Sequence, residues 1–313
     1  MAQTPVIHET LTQDAARRLS TSTNTRPIWA GITPRYLLRL MPWVNVESGT
    51  YRVNNVLDPD FNEEGTASAK GQKHFSKMVH GEHGLHEQLS HTFADYSVEP
   101  HEYTLTALQT MLRISTKVAD TFNVPHNQLK EQQRLLIEAL KEEQEKRTIN
   151  SKNFGLLHSK QAARMSTIGG PPTPDDFDAM LARLWKKPAF FLAHPRAIAA
   201  FGRECTARGV CIGTVEMFGS PFWTWRGVPI VPCDKLAITK GSTNVLLMRV
   251  GEEEQGVVGL HQTGIPGEVM PSVSILFNGI DSTGCYVYLV NLYFSVAVLT
   301  NDALVVMENV KVK

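Results

Sequence analysis

Residues 190–201 read Phe190-Phe191-Leu192-Ala193-His194-Pro195-Arg196-Ala197-Ile198-Ala199-Ala200-Phe201, and residues 222–232 read Phe222-Trp223-Thr224-Trp225-Arg226-Gly227-Val228-Pro229-Ile230-Val231-Pro232. In the first, a short apolar run stops at a proline and passes directly into a helical pattern, so a buried strand feeds a helix with Pro195 in its first turn. In the second, an aromatic strand turns at Gly227 and runs on to a second proline. A break at Gly169-Gly170-Pro171-Pro172-Thr173-Pro174 precedes both. From Thr173 or Pro174-Asp175-Asp176 a helix is expected through Trp185, ending before Pro188.

Upstream, residues 125–150 form the clearest helix, with Pro125 in its first turn and a cap at Asn123 or Val124. Leu129, Leu136, Ile137 and Leu140 make a narrow apolar stripe on an otherwise charged surface, which predicts a partly exposed spine. Glu142–Lys146 and Glu143–Arg147 are favourable (i, i+4) pairs, each worth about 0.3–0.5 kcal/mol. Before it, residues 103–115 alternate as a strand, and residues 49–56 suggest a strand with one wet face. Thr33 and Pro34 open a short helix carrying Tyr36, Leu37, Leu40 and Met41, which Pro42 ends. Residues 1–28 are polar, with one short helix over Glu9–Leu19. They read either as a tail or as an arm that gains order on a neighbouring subunit. Residues 58–99 are a long polar stretch with scattered glycines, either a surface loop or a projecting hairpin that packs on another copy.

Downstream of Thr243 the chain is mainly strand: 245–250, 273–277, 286–299 and 303–312, with Asn278-Gly279 and Gly284 as turns. The apolar stretch 285–299 is too short to span a bilayer as a helix and is rich in Val and Tyr, so it reads as a buried strand.

Composition bounds the function. The chain has 313 residues, with 31 basic and 31 acidic side chains and a formal net charge of zero. That argues against a dedicated nucleic-acid binder and suits copies that must pack against one another. Four cysteines, Cys205, Cys211, Cys233 and Cys285, lack CxxC spacing and read as reduced, buried residues of a cytosolic protein. No secretory signal is visible at the start.

Candidate chemistry is thin. His80, His83 and His86 lie three apart, flanked by His74 and His91, a spacing that on a helix offers a zinc or copper site. Gly81 and Gly84 weaken any such helix, and a solvated loop is the simpler reading. No GxSxG, P-loop or GxGxxG pattern occurs, and Gly251-Glu252-Glu253-Glu254 reads as an exposed acidic turn. Cys205 and Cys211 have no recognisable base beside them. No catalytic, cofactor or metal residue is therefore assigned.

The two opening signatures resemble the apical domain of the HK-97-type capsid fold of tailed bacteriophages, an α+β architecture. The order of parts is similar too: N-terminal arm and lead-in helix (1–46), extended loop (47–101), first part of a peripheral domain with the spine helix (102–169), apical domain (170–236) and returning peripheral strands (237–313). Within that superfamily, Thr33-Pro34-Arg35-Tyr36-Leu37-Leu38 through Met41-Pro42-Trp43-Val44-Asn45-Val46-Glu47-Ser48-Gly49-Thr50-Tyr51-Arg52-Val53-Asn54 looks most like a family 2 encapsulin, the shell protein of a bacterial nanocompartment. Arg208-Gly209, Phe218-Gly219-Ser220 and Thr224 to Pro229 are similar to the same group. Residues 58–99 are too short for the inserted cyclic-nucleotide-binding domain of one subtype, so the resemblance is to the insertion-free subtype A.

The resemblance implies a cytoplasmic icosahedral shell of about 60 subunits, with no nucleic-acid partner and no membrane. It implies a cargo enzyme, a cysteine desulfurase in sulfur metabolism, with pyridoxal phosphate on the cargo and no cofactor on this chain. It also implies a five-fold pore loop, about Ala207 to Gly219, carrying Arg208, Cys211, Thr214, Glu216 and Met217. The cargo-docking surface is not indicated. The alternative is a phage major capsid protein enclosing DNA. Such chains commonly need a scaffold segment or a processed N-terminal region, and residues 1–28 are short for either. A metal or thiol enzyme on an unrelated fold is the third class.

Overall fold

The computed structural model describes residues 12–21, 33–47, 49–53, 100–117, 127–167 and 170–312. Fifteen strands are found among them, β1 to β15 in chain order, grouped in two large sheets and one small ribbon. The ribbon pairs β2 (Thr50–Val53) with β3 (His101–Thr104) antiparallel, Thr50 opposite Thr104. It brings together the two ends of the segment expected to form an extended loop. Residues 58–99, with the histidines 74–91, lie outside the described residues.

The first sheet is built on β14 (Cys285–Val298), the longest strand, which pairs antiparallel with β13 (Val273–Ile280), β4 (Thr106–Lys117) and β11 (Val257–His261). β12 (Glu268–Met270) extends it beyond β13, and β1 (Trp43–Asn45) lies parallel on β11. The spine helix, α3 (Gln128–Asn150), crosses this sheet and buries Leu140 with Leu108, Val273, Val290, Leu292 and Phe294. Its cap is Asn127, whose side chain accepts from the Lys130 amide, and not Asn123 or Val124 as expected.

The second sheet runs β5 (Ala163–Ser166), β15 (Leu304–Lys311), β10 (Ser242–Met248), β6 (Phe190–Ala193), β9 (Val228–Pro232), β8 (Ser220–Trp225) and β7 (Gly213–Met217). Its β6–β9 and β5–β15 pairs are parallel and the others antiparallel. Helices α4 (Pro174–Arg183) and α5 (Pro195–Ala207) cover one face, burying Phe177, Met180 and Phe201 against Phe191, Ile230, Val245, Leu247 and Val305. The other face buries Phe190, Leu192, Val231, Leu246, Met248 and Val306 against the lead-in helix α2 (Tyr36–Leu40), the end of α3 and the first sheet. Burial on both faces explains the apolar runs 190–193 in β6, 245–248 in β10 and 304–307 in β15. β10 and β15 thus share a sheet with residues 190–232, so no sheet boundary falls between 236 and 237.

Several local expectations are corrected by their surroundings. Thr33 does not cap α2, because its amide and hydroxyl donate to Glu142; Arg35, with φ of 50°, occupies the cap position. Asn278-Gly279 is no turn but a bulge inside β13, and the turn falls at Asp281–Gly284, where Asp281 accepts from the Thr283 and Cys285 amides. The remaining helix α1 (Gln13–Ser20), capped by Thr12, agrees with the short helix read near the N-terminus.

The contact between β1 and β11 depends on a missing side chain. A Cβ on Gly259 would sit 2.6 Å from the Trp43 ring, well inside van der Waals contact. Gly259→Val is therefore expected to expel Trp43 and to cost about 1–3 kcal/mol, the usual penalty of overpacking. Thermal unfolding at fixed protein concentration should show Tm lowered by several degrees; an unchanged Tm would mean that Trp43 does not seat there.

Candidate functional site

The two signature stretches meet in the apical half. His194 caps α5 with Nδ1 accepting the Arg196 amide at 3.0 Å, and Pro195 follows where no hydrogen bond is lost. Gly202 on α5 admits Trp223 so closely that a Cβ would lie 2.6 Å from its ring. Phe201 stacks on Phe177 at 4.1 Å and meets Trp225 edge-on at 5.3 Å. Such aromatic pairs add about 0.5–1.5 kcal/mol each beyond area burial. Arg226 and Gly227, both at positive φ, make the two-residue turn between β8 and β9. Asp178 on α4 ties that turn down, accepting Trp225 Nε1 at 2.7 Å and Arg226 Nη2 at 3.0 Å. The Arg226 hydrogen bond holds Asp178 below the usual carboxylate range.

The expected pore residues fall into three settings. Arg208 and Cys211 are exposed and line one hollow of about 360 Å³ beneath the β8–β9 turn, where Arg208 pairs with Asp175 at 2.7 Å. Thr214 and Glu216 lie on β7, opposite Trp223 and Pro221, and are exposed on the outermost strand of the sheet. Met217 points elsewhere: it is half-buried against the core between the sheets. What the sequence suggested as a loop is therefore half strand, closed by a tight turn at Phe218-Gly219. That dipeptide between alternating residues was the available signal for a hairpin.

Cys211 is exposed, against expectation, whereas Cys205, Cys233 and Cys285 are buried and all four are free. Burial pushes the Cys205 thiol up, and Cys233 up to about 12, which is opposite to what a nucleophilic thiol needs. Among the described residues no three His, Cys, Asp or Glu side chains cluster to hold a metal.

A second feature was not anticipated: a polar joint where the lead-in segment, α3 and the end of β9 converge. Glu142 was read as a partner of Lys146, but it accepts from Thr33 and pairs with Lys235 at 2.6 Å; Lys146 turns to Glu143, as does Arg147 at 2.9 Å. Lys235 also donates to Thr33 and to Asp234, and lies 3.8 Å from Glu145. Glu145 is 2% exposed and accepts the Leu37 amide at 3.2 Å. Burial pushes its carboxyl up to about 7, outweighing the opposing pull of Lys235 and Leu37. Burial alone would lower the Lys235 ammonium, but hydrogen bonds to Asp234 and Glu142 hold it above its ordinary value. The spine helix thus has a second buried side, made of Gln144, Glu145 and Thr148. A periodicity count over apolar residues misses such a face.

A matching joint lies across the sheets. Arg249, 3% exposed, sits where the chain leaves β10 for β11, and bonds to Asp302 at 2.8 Å and Thr300 at 2.9 Å. Burial opposes ionisation of Asp302, but hydrogen bonds from Arg249, Lys186 and Thr300 hold it far below the usual range.

Two sheets sharing a core, a spine helix, an apical unit and the base of a long excursion define a capsid-type shell subunit of the HK-97 kind. Solved structures agree: the capsid of a native GTA particle matches with a TM-score of 0.63 over 92% of this chain and 94% of that one at 11% identity, a likeness of fold. The cryo-EM structure of the holo-SrpI encapsulin complex from Synechococcus elongatus matches with a TM-score of 0.78 at 46% identity, covering 97% of both chains. The family model for SrpI-like type 2A encapsulin shell proteins matches residues 62–313, and the chain belongs to that family. It is 48% identical to the type 2A encapsulin shell protein SrpI of Synechococcus elongatus over 95% of this chain and 93% of that protein. The Mycobacterium leprae type 2A encapsulin shell protein is 46% identical over the same shares.

Two outcomes follow for the polar joint. Lys235→Met leaves Glu142 and Glu145 facing each other in a buried site, so denaturant unfolding should show a loss of about 3–5 kcal/mol. Glu145 titrates higher folded than unfolded, so its stabilising share is full below its unfolded value near 4.5 and is lost as pH rises through about 7. Unfolding of the wild type between pH 5 and 7.5 should therefore show stability falling relative to Glu145→Gln; parallel curves would contradict the assignment.

Proposed function

We propose that this chain self-assembles into a closed icosahedral shell of about 60 copies that encloses a cysteine desulfurase and resides in the cytoplasm. The observation that carries the reading is the match to an encapsulin subunit along 97% of both chains. The neutral charge balance favours a shell around protein over a capsid packed with DNA. No helix among the described residues is long and apolar enough to cross a membrane. Desulfurase chemistry, with its pyridoxal phosphate, belongs to the cargo in this reading, and no convergent nucleophile, base and oxyanion donor stand together among the described residues.

Sulfide release from cysteine tests it. Shells produced in a host lacking the cargo gene should give background rates, and shells purified with their native content should be active and carry the absorbance of bound pyridoxal phosphate. Substantial activity in the empty shell would overturn the container reading, and native shells holding a different enzyme would overturn the cargo assignment.

In the same reading, β7 and the end of α5 border the five-fold aperture, where Arg208, Cys211, Thr214 and Glu216 set its width and field. Glu216 is exposed on the outermost strand and holds no core contact, so Glu216→Lys should leave assembly intact. It should shift uptake of charged substrates, slowing cations relative to anions. Equal cargo turnover for both charge types in the variant and the wild type would remove β7 from the pore.

A further inference from the structure

The cleft between the lead-in segment and α3 encloses about 630 Å³ and has an unbalanced lining. Its charged groups are Arg35, Arg39, Lys141 and one carboxylate, Glu138. Glu138 is already committed to Arg35, whose Nη2 lies 2.5 Å from it. Arg39 faces the Phe218 ring at 5.0 Å and has no carboxylate partner among the described residues. Lys141 donates only to the neutral Gln144, at 3.2 Å, and likewise pairs with no carboxylate among the described residues. Lys141, half-buried, thus stands in the recess without an ion-pair partner among the described residues, and Arg39 is exposed at its rim. Leu38, Trp43, Ile137 and Met270 supply apolar wall to the same cleft, beside the polar Thr33 and Gln144.

We propose that this cleft binds a small organic acid, with its carboxylate held by Lys141 and its apolar body against Leu38, Trp43 and Ile137. A cation removed from water without a partner is unfavourable, and an anion entering the same recess restores the balance. The state of the amine fits: burial, and then the neighbouring Arg35, push Lys141 down to about 8 against the smaller upward pull of Glu138. The apolar wall rewards a ligand with a hydrocarbon body over bare chloride or phosphate. Pocket and ligand class are independent of the cargo and of the pore, so the inference survives if either of those readings fails.

Competitive acetylation of the assembled protein at about pH 8, read out by peptide mass spectrometry, tests it with 4-phenylbutyrate as probe and its neutral amide as control. A carboxylate beside Lys141 raises the amine by about one unit, so at this pH 4-phenylbutyrate should slow acetylation of Lys141 about fivefold and saturably. The exposed Lys152 should not respond. Calorimetry should register binding of the acid to the wild type and none to Lys141→Gln shells of normal size. Equal slowing by acid and amide, or slowing by neither, would overturn the proposal. So would protection of Lys141 in the probe-free shell that disappears on dissociation, because that assigns the cleft to a protein carboxylate.

Discussion

Lys235 holds the molecule's two halves in register. It lies three residues past the end of β9, and its ammonium reaches Glu142 and Glu145 on the spine helix and Thr33 on the lead-in segment. Two large sheets that share one apolar core are free to slide unless something directional fixes them, since burial of apolar surface is non-directional. The buried ion pairs supply that direction, and their worth lies in the cost of breaking them more than in their net contribution. Arg249 with Asp302 repeats the device on the connection from β10 to β11. A wall subunit needs such fixed geometry, because a small change in the angle between its halves is multiplied around a closed shell.

The apical half shows the opposite balance. Its interior is sealed by an aromatic cluster of Phe177, Phe191, Phe201 and Trp225, whereas its outermost strand β7 is nearly all exposed. Exposed Val215, Phe218 and Trp223 border that same hairpin. An unpaired edge with apolar flanks is a hazard in a monomer and a resource in an assembly. At the far end of β8, Asp178 on α4 anchors the β8–β9 turn through Trp225 and Arg226.

Much of this fold was legible in the sequence. Pro195 after an apolar run, and Arg226-Gly227 between an aromatic and a branched run, gave strand, helix and hairpin with nearly correct limits, since proline and glycine act locally. The helix start at Thr173 or Pro174 was equally legible, and the structure adds that Thr173 and Asp176 form a capping box there. What escaped depends on distant partners. Thr33 abandons a capping role for Glu142, more than one hundred residues away in sequence, and Glu142 leaves its helical neighbour for Lys235. β7 is hard to read as a strand because four of its five residues are exposed on a free edge, which leaves Phe218-Gly219 as the main local signal. Asn278-Gly279 has the composition of a turn, yet pairing of β13 with β14 on both sides absorbs it as a bulge. Of the residues suggested for the pore, the sequence grouped five by proximity along the chain, and the strand's alternation sends Met217 away from Glu216.

The two halves so joined form one subunit of a shell. Electron microscopy of the purified full-length protein in physiological buffer, joined to light scattering on the same sample, tests it most directly. The account predicts uniform hollow particles with icosahedral symmetry and a mass near that of about 60 chains. A preparation that is folded, with cooperative unfolding, yet holds only monomers or small oligomers would contradict it.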